Sequence, residues 1–147
     1  MARNFFTADE QREIIHAIQA AEKKTSGEIK VHLEASFGSD VIERTIAVFK
    51  KLNMHETALR NGVLIYIAVK DRQFAIIGDV GINEKVPEDF WENIKEEMRE
   101  DFAAGQFTAG LINAIESAGE ALAAYFPRLD NDTNELSDEL SFDDDEK

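Results

Sequence analysis

The sequence predicts an α/β fold built around a small mixed β-sheet, and three patterns support this prediction. Residues 28–36 alternate polar and apolar side chains with a period of two, which is typical of a strand with one polar face. Residues 63–69 form a continuous apolar run rich in β-branched side chains, as expected for a central strand buried on both faces. Before, between and after these strands, apolar residues recur at helical spacing.

Four segments carry this helical periodicity. Thr7 and Glu10 form a capping box that begins a first helix, which we place at residues 8–24. Pro87 suits the first turn of the third helix, and Pro127 stops the fourth. The apolar positions of the second, third and fourth helices are, in order, Ile42, Thr45, Ile46, Phe49 and Leu52; Phe90, Ile94, Met98 and Phe102; and Phe107, Leu111, Ile115 and Leu122.

The directions of the strands bring distant segments together. A third strand at residues 74–77 follows the central strand after a tight turn, so these two strands should run antiparallel. A helix joins the first two strands, which should therefore be parallel and connected by a right-handed crossover. The start of the first strand, the start of the second and the end of the third must then lie at the same edge of the sheet.

This edge collects glycine, acidic and basic residues from three segments, at residues 26–28, 60–62 and 78–81. Glycine permits close backbone approach, and loops on a rigid scaffold are where binding usually occurs. Hard divalent cations such as Ca²⁺ and Mg²⁺ prefer carboxylate oxygens on such loops. The candidate metal ligands are Asp79, Glu28, Glu84 and Glu56.

Three charged residues at this edge, Asp79, Glu28 and Arg60, also have ordinary structural roles open to them. Asp79 can serve as a turn residue or as a helix cap, and Glu28 can form an ion pair with Arg60. Arg60 can hold an anion such as phosphate, although pairing with Glu28 or Asp79 is the favoured interpretation. The supporting residues at this edge are Asn61, Gly78 and Gly81.

The composition excludes several classes of function. The chain has 147 residues, a net charge of −14 and no cysteine, so disulfides and thiolate chemistry are excluded. The negative charge repels nucleic acid and anionic lipids, and it favours divalent cations or a basic protein partner. No apolar run reaches membrane-spanning length, and the first residues lack the apolar segment of a signal peptide. We therefore expect a cytoplasmic monomer without membrane insertion.

The chain divides into a folded domain and a tail. The periodic segments end near Pro127, so we predict one domain over residues 1–127. Residues 128–147 hold nine acidic and two basic residues without periodicity, which predicts an acidic disordered tail.

Part of the tail resembles an EF-hand calcium loop. Asp130, Asp132 and Asn134 match its first, third and fifth positions. The match then fails, because Glu135 replaces the glycine and Ser141 replaces the bidentate glutamate. We interpret this segment as a solvated acidic stretch that binds cations weakly.

Several short motifs occur in order along the chain, namely Asn4-Phe5-Phe6, Thr25-Ser26-Gly27-Glu28-Ile29, Arg60-Asn61-Gly62-Val63, Ile77-Gly78-Asp79-Val80-Gly81 and Phe90-Trp91. Together they resemble the TPM domain family over about residues 4–127. The resemblance implies a three-layer α/β/α sandwich around the mixed sheet. It also implies divalent-cation binding, calcium in particular, at acidic loop residues.

The resemblance leaves more than one function open. We expect a Ca²⁺- or Mg²⁺-binding domain with a structural or interaction role. A plant member of the family is described as an acid phosphatase, so a weak metal-dependent phosphatase is one alternative. Such an enzyme would need Asp79 and Glu28 to hold the ion and Arg60 to stabilise phosphate charge. A protein-interaction module that acts through the acidic tail is the other alternative.

Overall fold

The computed structural model describes residues 4–128 and 140–143. It is a three-layer α/β/α sandwich, which confirms the predicted fold class. A 3₁₀ turn at Met54–Glu56 precedes the second strand. The other elements are, in chain order, α1 (Ala8–Glu22), β1 (Glu28–Glu34), α2 (Val41–Lys51), β2 (Gly62–Ala68), β3 (Gln73–Gly78), α3 (Val80–Asn83), α4 (Phe90–Ala103), α5 (Phe107–Tyr125) and β4 (Ser141–Asp143).

The sheet is mixed, with the strand order β3-β2-β1-β4. Strand β1 runs parallel to β2 and to β4, whereas β2 and β3 form an antiparallel hairpin. The predicted directions of the first three strands are therefore confirmed. Because β4 adds to its outer side, β1 lies inside the sheet rather than at its margin.

Helices cover both faces of this sheet. The larger core lies between the sheet and helices α1, α4 and α5, and the smaller core lies beneath α2. Removing these apolar side chains from water is the main term that stabilises the fold. Fully buried members of the larger core include Ile14, Ile18, Ile29, Leu33, Ile65, Leu111 and Ile115. The smaller core contains Val48, Phe49, Met54, Leu64, Tyr66 and Ala68.

The helix starts agree with the sequence in one case and differ in another. Thr7 Oγ1 accepts a hydrogen bond from Glu10 N at 3.1 Å, and Thr7 N donates to Glu10 Oε1 at 2.9 Å, which confirms the capping box. Pro87 was predicted in the first turn of the third long helix, but α4 begins at Phe90. The short helix α3 was not predicted.

Within the described residues, no helix has both the length and the apolar character that a membrane crossing requires.

The face through which helix α2 packs includes Thr45 and Phe49 of the predicted apolar pattern, but it is shifted away from the two isoleucines of that pattern and towards Val48. Thr45, Val48 and Phe49 are buried, whereas Ile42 and Ile46 are 46% and 43% exposed. Burial of the polar Thr45 is possible because its hydroxyl donates to the carbonyl four residues earlier at 2.6 Å. The outward isoleucines therefore do not contribute to the core.

The prediction that the whole of residues 128–147 is disordered is wrong for residues 140–143. Ser141–Asp143 pairs in parallel with the end of β1, where Leu33 is opposite Phe142. The backbone groups of β1 supply this order, and three residues are too few to show a strand period of their own. The segment that resembles an EF-hand loop lies outside the described residues except for Leu140 and Ser141, the second of which is in β4.

Candidate functional site

The predicted sheet edge forms as the strand directions require. Glu28 is paired with Gly62 across β1 and β2, and Val63 is paired with Gly78 across β2 and β3. Asp79 then follows β3, and its backbone N–H donates to Gly62 O at 2.9 Å. Glu28 and Asp79 thus lie on either side of Gly62, at the same level of the sheet.

Asp79 is buried, with Arg60 as its main partner. Arg60 Nε donates to Asp79 Oδ2 at 2.6 Å, and Arg60 Nη2 donates to Asp79 Oδ1 at 2.9 Å. This bidentate hydrogen bonding to Asp79 raises the pKa of the Arg60 guanidinium. Asp79 Oδ1 also accepts from Val80 N at 2.8 Å, so the carboxylate caps α3. Among the alternatives for Arg60, the structure shows the ion pair with Asp79.

Gly81 lets two backbone segments meet at this edge. Its N–H donates to Arg60 O at 2.8 Å. A Cβ at position 81 would lie only 2.2 Å from Leu59 O and 2.5 Å from Arg60 O. Gly78 is restricted in a similar way, because a Cβ there would lie 2.6 Å from the ring of Trp91. Both predicted glycines are therefore required for close packing.

Asn61 and Glu28 are buried beside each other at this edge, at 1% and 2% exposure. The backbone N–H of Glu28 faces Asn61 O at 3.5 Å, and Asn61 N donates to Thr57 Oγ1 at 3.3 Å. Neither Asn61 Nδ2 nor Asn61 Oδ1 has a hydrogen-bond partner among the described residues. A buried amide without partners is costly, so this side chain marks a position where a further polar group would be favourable.

The two other predicted ligands lie outside the buried part of the edge. Glu56 ends the 3₁₀ turn and Glu84 follows α3, and both side chains are exposed. The buried candidates are therefore Glu28, Asn61 and Asp79. The Met54 carbonyl oxygen is close to them, since it would lie 3.2 Å from a Cβ at Gly62.

A second polar cluster, which the sequence did not reveal, lies at the other end of β1. Glu34 is fully buried there, and Arg44 donates to its two oxygens through Nε and Nη2, each at 2.7 Å. Tyr66 also donates its hydroxyl to Glu34, and His32 Nε2 lies 3.4 Å from Glu34 Oε1. Asp143 of β4 accepts from Arg44 Nη2 at 2.8 Å. We call these five residues the Glu34 network.

The Glu34 network shifts the ionisation of its own members. Burial by itself would raise the pKa of the Glu34 carboxyl, but hydrogen bonds from Arg44, His32 and Tyr66 outweigh it. They hold the pKa of Glu34 at about 2, below the ordinary value of 4.5. Burial and the adjacent Glu34 carboxylate raise the pKa of Tyr66. Glu34 is therefore a carboxylate at every pH near neutrality.

Three members of the network have the geometry of a metal site but already have a cation between them. Potential ligand atoms of His32, Glu34 and Asp143 lie within 4.8 Å of one another. However, the Arg44 guanidinium donates to both carboxylates. A metal ion would have to displace this arginine, so the protein's own guanidinium already holds the place of a cation here. In the sequence, the only signal was the placement of His32 and Glu34 on one face of the strand.

The fold and its edge define a class of protein: a three-layer α/β/α domain in which buried carboxylates gather where three strand ends meet. The chain belongs to the TPM domain family, because the family model described as TPM domain matches its residues 2–121. The family resemblance drawn from the sequence motifs is therefore confirmed. A comparison with curated proteins found no match.

Solved structures support the same assignment. The chain is 48% identical to the BA42 protein of the psychrophilic bacterium Bizionia argentinensis, with a TM-score of 0.89, over 95% of this chain and 97% of that chain. The N-terminal domain of the cg2496 protein of Corynebacterium glutamicum is 16% identical, with a TM-score of 0.56, over 81% of this chain and 74% of that chain. The N-terminal domain of a P. gingivalis protein is 15% identical, with a TM-score of 0.66, over 84% and 80%. These last two share the fold.

Proposed function

We propose that this domain binds a divalent cation, Ca²⁺ or Mg²⁺, at the sheet edge formed by Glu28, Asn61 and Asp79. The observation that carries the proposal is the buried Asn61 amide, whose Oδ1 has no hydrogen-bond partner among the described residues. Amide and carboxylate oxygens, which Asn61, Glu28 and Asp79 bring to this edge, are the donors that hard cations prefer. A bound cation would satisfy Oδ1 and reduce the cost of burying the Asn61 amide.

The Met54 carbonyl is a further oxygen donor for this cation. Because Gly62 has no side chain, Met54 O can lie close to its backbone, at a position 3.2 Å from where a Cβ of residue 62 would be. Glu28, Met54 and Asn61 would therefore hold the ion from β1, the 3₁₀ turn and the residue just before β2. Such an ion would tie the loop of residues 54–61 to β1, which is distant in the sequence, and this is a structural role.

Arg60 limits how Asp79 takes part. Its guanidinium donates to both Asp79 oxygens, so Asp79 can offer a cation only the lone pairs that Arg60 leaves. This arrangement favours cation binding over phosphate chemistry, because Arg60 would have to leave Asp79 to hold a phosphate group. We therefore rank the weak phosphatase below the cation-binding domain.

Glu28→Gln provides the test, because it removes the charge and keeps the shape of the side chain. We expect Ca²⁺ or Mg²⁺ to shift the amide resonances of Glu28, Asn61 and Asp79 in the full chain. In Glu28→Gln, the apparent Kd for this shift should rise at least about tenfold. The matched control is Glu116→Gln on the exposed face of α5, which should bind as the wild type does.

The acidic tail can also attract cations, so the resonances of residues 130–147 must be followed in the same titration. If the cation shifts only resonances of residues 130–147, and Glu28→Gln leaves those shifts unchanged, the edge does not bind the ion. An unchanged Kd in Glu28→Gln, with shifts still seen at Asn61, would equally contradict the proposed role of the carboxylate.

A further inference from the structure

Strand β4, which pairs with β1 near the C-terminus, contacts the domain through each of its three side chains. Ser141 Oγ lies 2.9 Å from His32 Nδ1, which is itself buried. Asp143 accepts from Arg44 Nη2 at 2.8 Å and from Lys51 Nζ at 3.4 Å. The intervening Phe142 packs against the larger core. Each of the three positions of β4 thus has its own contact with the domain.

The charged side chains of the receiving surface are also held by contacts within the domain. Arg44 makes two hydrogen bonds to Glu34 that do not involve Asp143, and Tyr66 donates to Glu34 as well. Losing β4 would therefore leave no buried charge without a partner. We call this surface, made by the outer side of β1 at His32–Glu34 with Arg44 and Lys51, the strand acceptor.

The segment itself is held weakly enough to exchange. It pairs over only three residues, and short marginal strands open at low free-energy cost. Its ion pair with Lys51 is solvent-exposed, and such pairs contribute little. The acceptor lies within residues 2–121 that the family model matches, whereas the segment lies beyond them.

The charged side chains of the strand acceptor indicate which peptide side chains it would bind. The chain carries a net charge of −14, but the side chains that face Asp143 here are Arg44 and Lys51. Two cations in a strongly acidic protein complement a carboxylate, and the adjoining core contact suits an aromatic ring. Backbone pairing to a sheet strand adds affinity that does not depend on sequence.

We propose that the strand acceptor binds extended peptides of partner proteins in which an aromatic residue is followed by a carboxylate, and that residues 140–143 occupy it as an intramolecular competitor. The tether gives this resident segment a high effective concentration, on the order of millimolar. A separate peptide should therefore bind well only after the resident segment is weakened. This proposal is independent of the cation site, which lies at the opposite end of β1.

The test uses the full chain with both anchoring side chains removed, as Phe142→Ala with Asp143→Ala. The probe is a synthetic peptide with the sequence of residues 138–147, titrated while the amide resonances of His32–Glu34 are followed. We expect saturable shifts in the variant, with an apparent Kd at least about tenfold lower than in the wild type. A peptide with asparagine in place of Asp143 should bind about fivefold more weakly, as expected for the loss of an ion pair.

Controls make each outcome decisive. Unchanged resonances of residues 62–78 would show that the double variant is folded. If the double variant does not fold, Asp143→Asn alone serves as the milder variant. No shift in either variant at 2 mM peptide, a concentration on the order of the effective one, overturns the proposal. Equal binding of the asparagine peptide overturns the carboxylate selection. A wild-type dimer with exchanged C-terminal strands makes a second copy the occupant, which overturns the intramolecular assignment.

Discussion

Substituting glutamine for Glu34 will lower the free energy of unfolding by about 3 kcal/mol at pH 7. Glu34 is fully buried, and it accepts three hydrogen bonds from Arg44 and Tyr66. Glutamine keeps the volume but loses the charge, and its amide N–H₂ group faces the Arg44 guanidinium. Breaking a buried ion pair from one side is costly because the remaining charge is left with fewer partners.

The pH dependence of stability gives this prediction a sharper form. The pKa of Glu34 is about 2 in the folded chain and lies near the ordinary 4.5 when the chain is unfolded. Because the folded value is the lower one, the stabilisation is complete above about pH 5 and is lost as the pH falls towards 2. Urea unfolding of the wild type and of Glu34→Gln at pH 7 and pH 3 measures it, and the difference between the two proteins should shrink at pH 3.

A surface ion pair provides the control. Arg99 donates to Glu96 at 3.2 Å, and both side chains are exposed. Glu96→Gln should change the free energy of unfolding by less than about 1 kcal/mol at either pH. If Glu34→Gln is no more destabilising than Glu96→Gln, the Glu34 network does not stabilise the fold as described.

Substituting alanine for Gly81 will lower the free energy of unfolding by about 3 kcal/mol. The added Cβ would lie 2.2 Å from Leu59 O and 2.5 Å from Arg60 O, and both contacts are with backbone that has no flexible end to move. The segments must separate, which also strains the hydrogen bond from Gly81 N to Arg60 O. Thermal unfolding or urea unfolding detects the loss.

Gly38→Ala separates this clash from the general effect of removing a glycine. Gly38 has a φ of +95°, but a Cβ there would meet nothing within 4 Å. Its cost should be about 1 kcal/mol, which reflects backbone strain alone. Equal losses in the two variants would show that the close approach at Gly81 is relieved without cost.

The sheet edge was predictable because strand direction follows from local connections. A helix between two strands and a short turn between the next two are visible in the sequence. Together they place Glu28, Gly62 and Asp79 at one level, as the pairing shows. Which partner each side chain takes was not predictable, since Arg60 had both Glu28 and Asp79 within reach of its loop. The structure shows Asp79 as its partner.

The Glu34 network was missed because its members depend on contacts between distant residues. Arg44 lies on α2 and Asp143 on β4, and neither element carries a local signal for the other. The alternation of β1 predicted a polar face but not that α2 would bury it. Buried charge is rare unless paired, so the sequence pattern alone favours an exposed face.

The two faces of β1 restrict how it can align with β2 while the chain folds. Ile29, Val31 and Leu33 point into the larger core, whereas His32 and Glu34 lie on the other face with their partners. A slip of one residue against β2 would exchange the faces and place a charged carboxylate among isoleucines without Arg44. Such a mispaired chain would carry a penalty of several kcal/mol. The buried ion pair therefore selects one alignment among those that β2, which is apolar along its whole length, would otherwise accept.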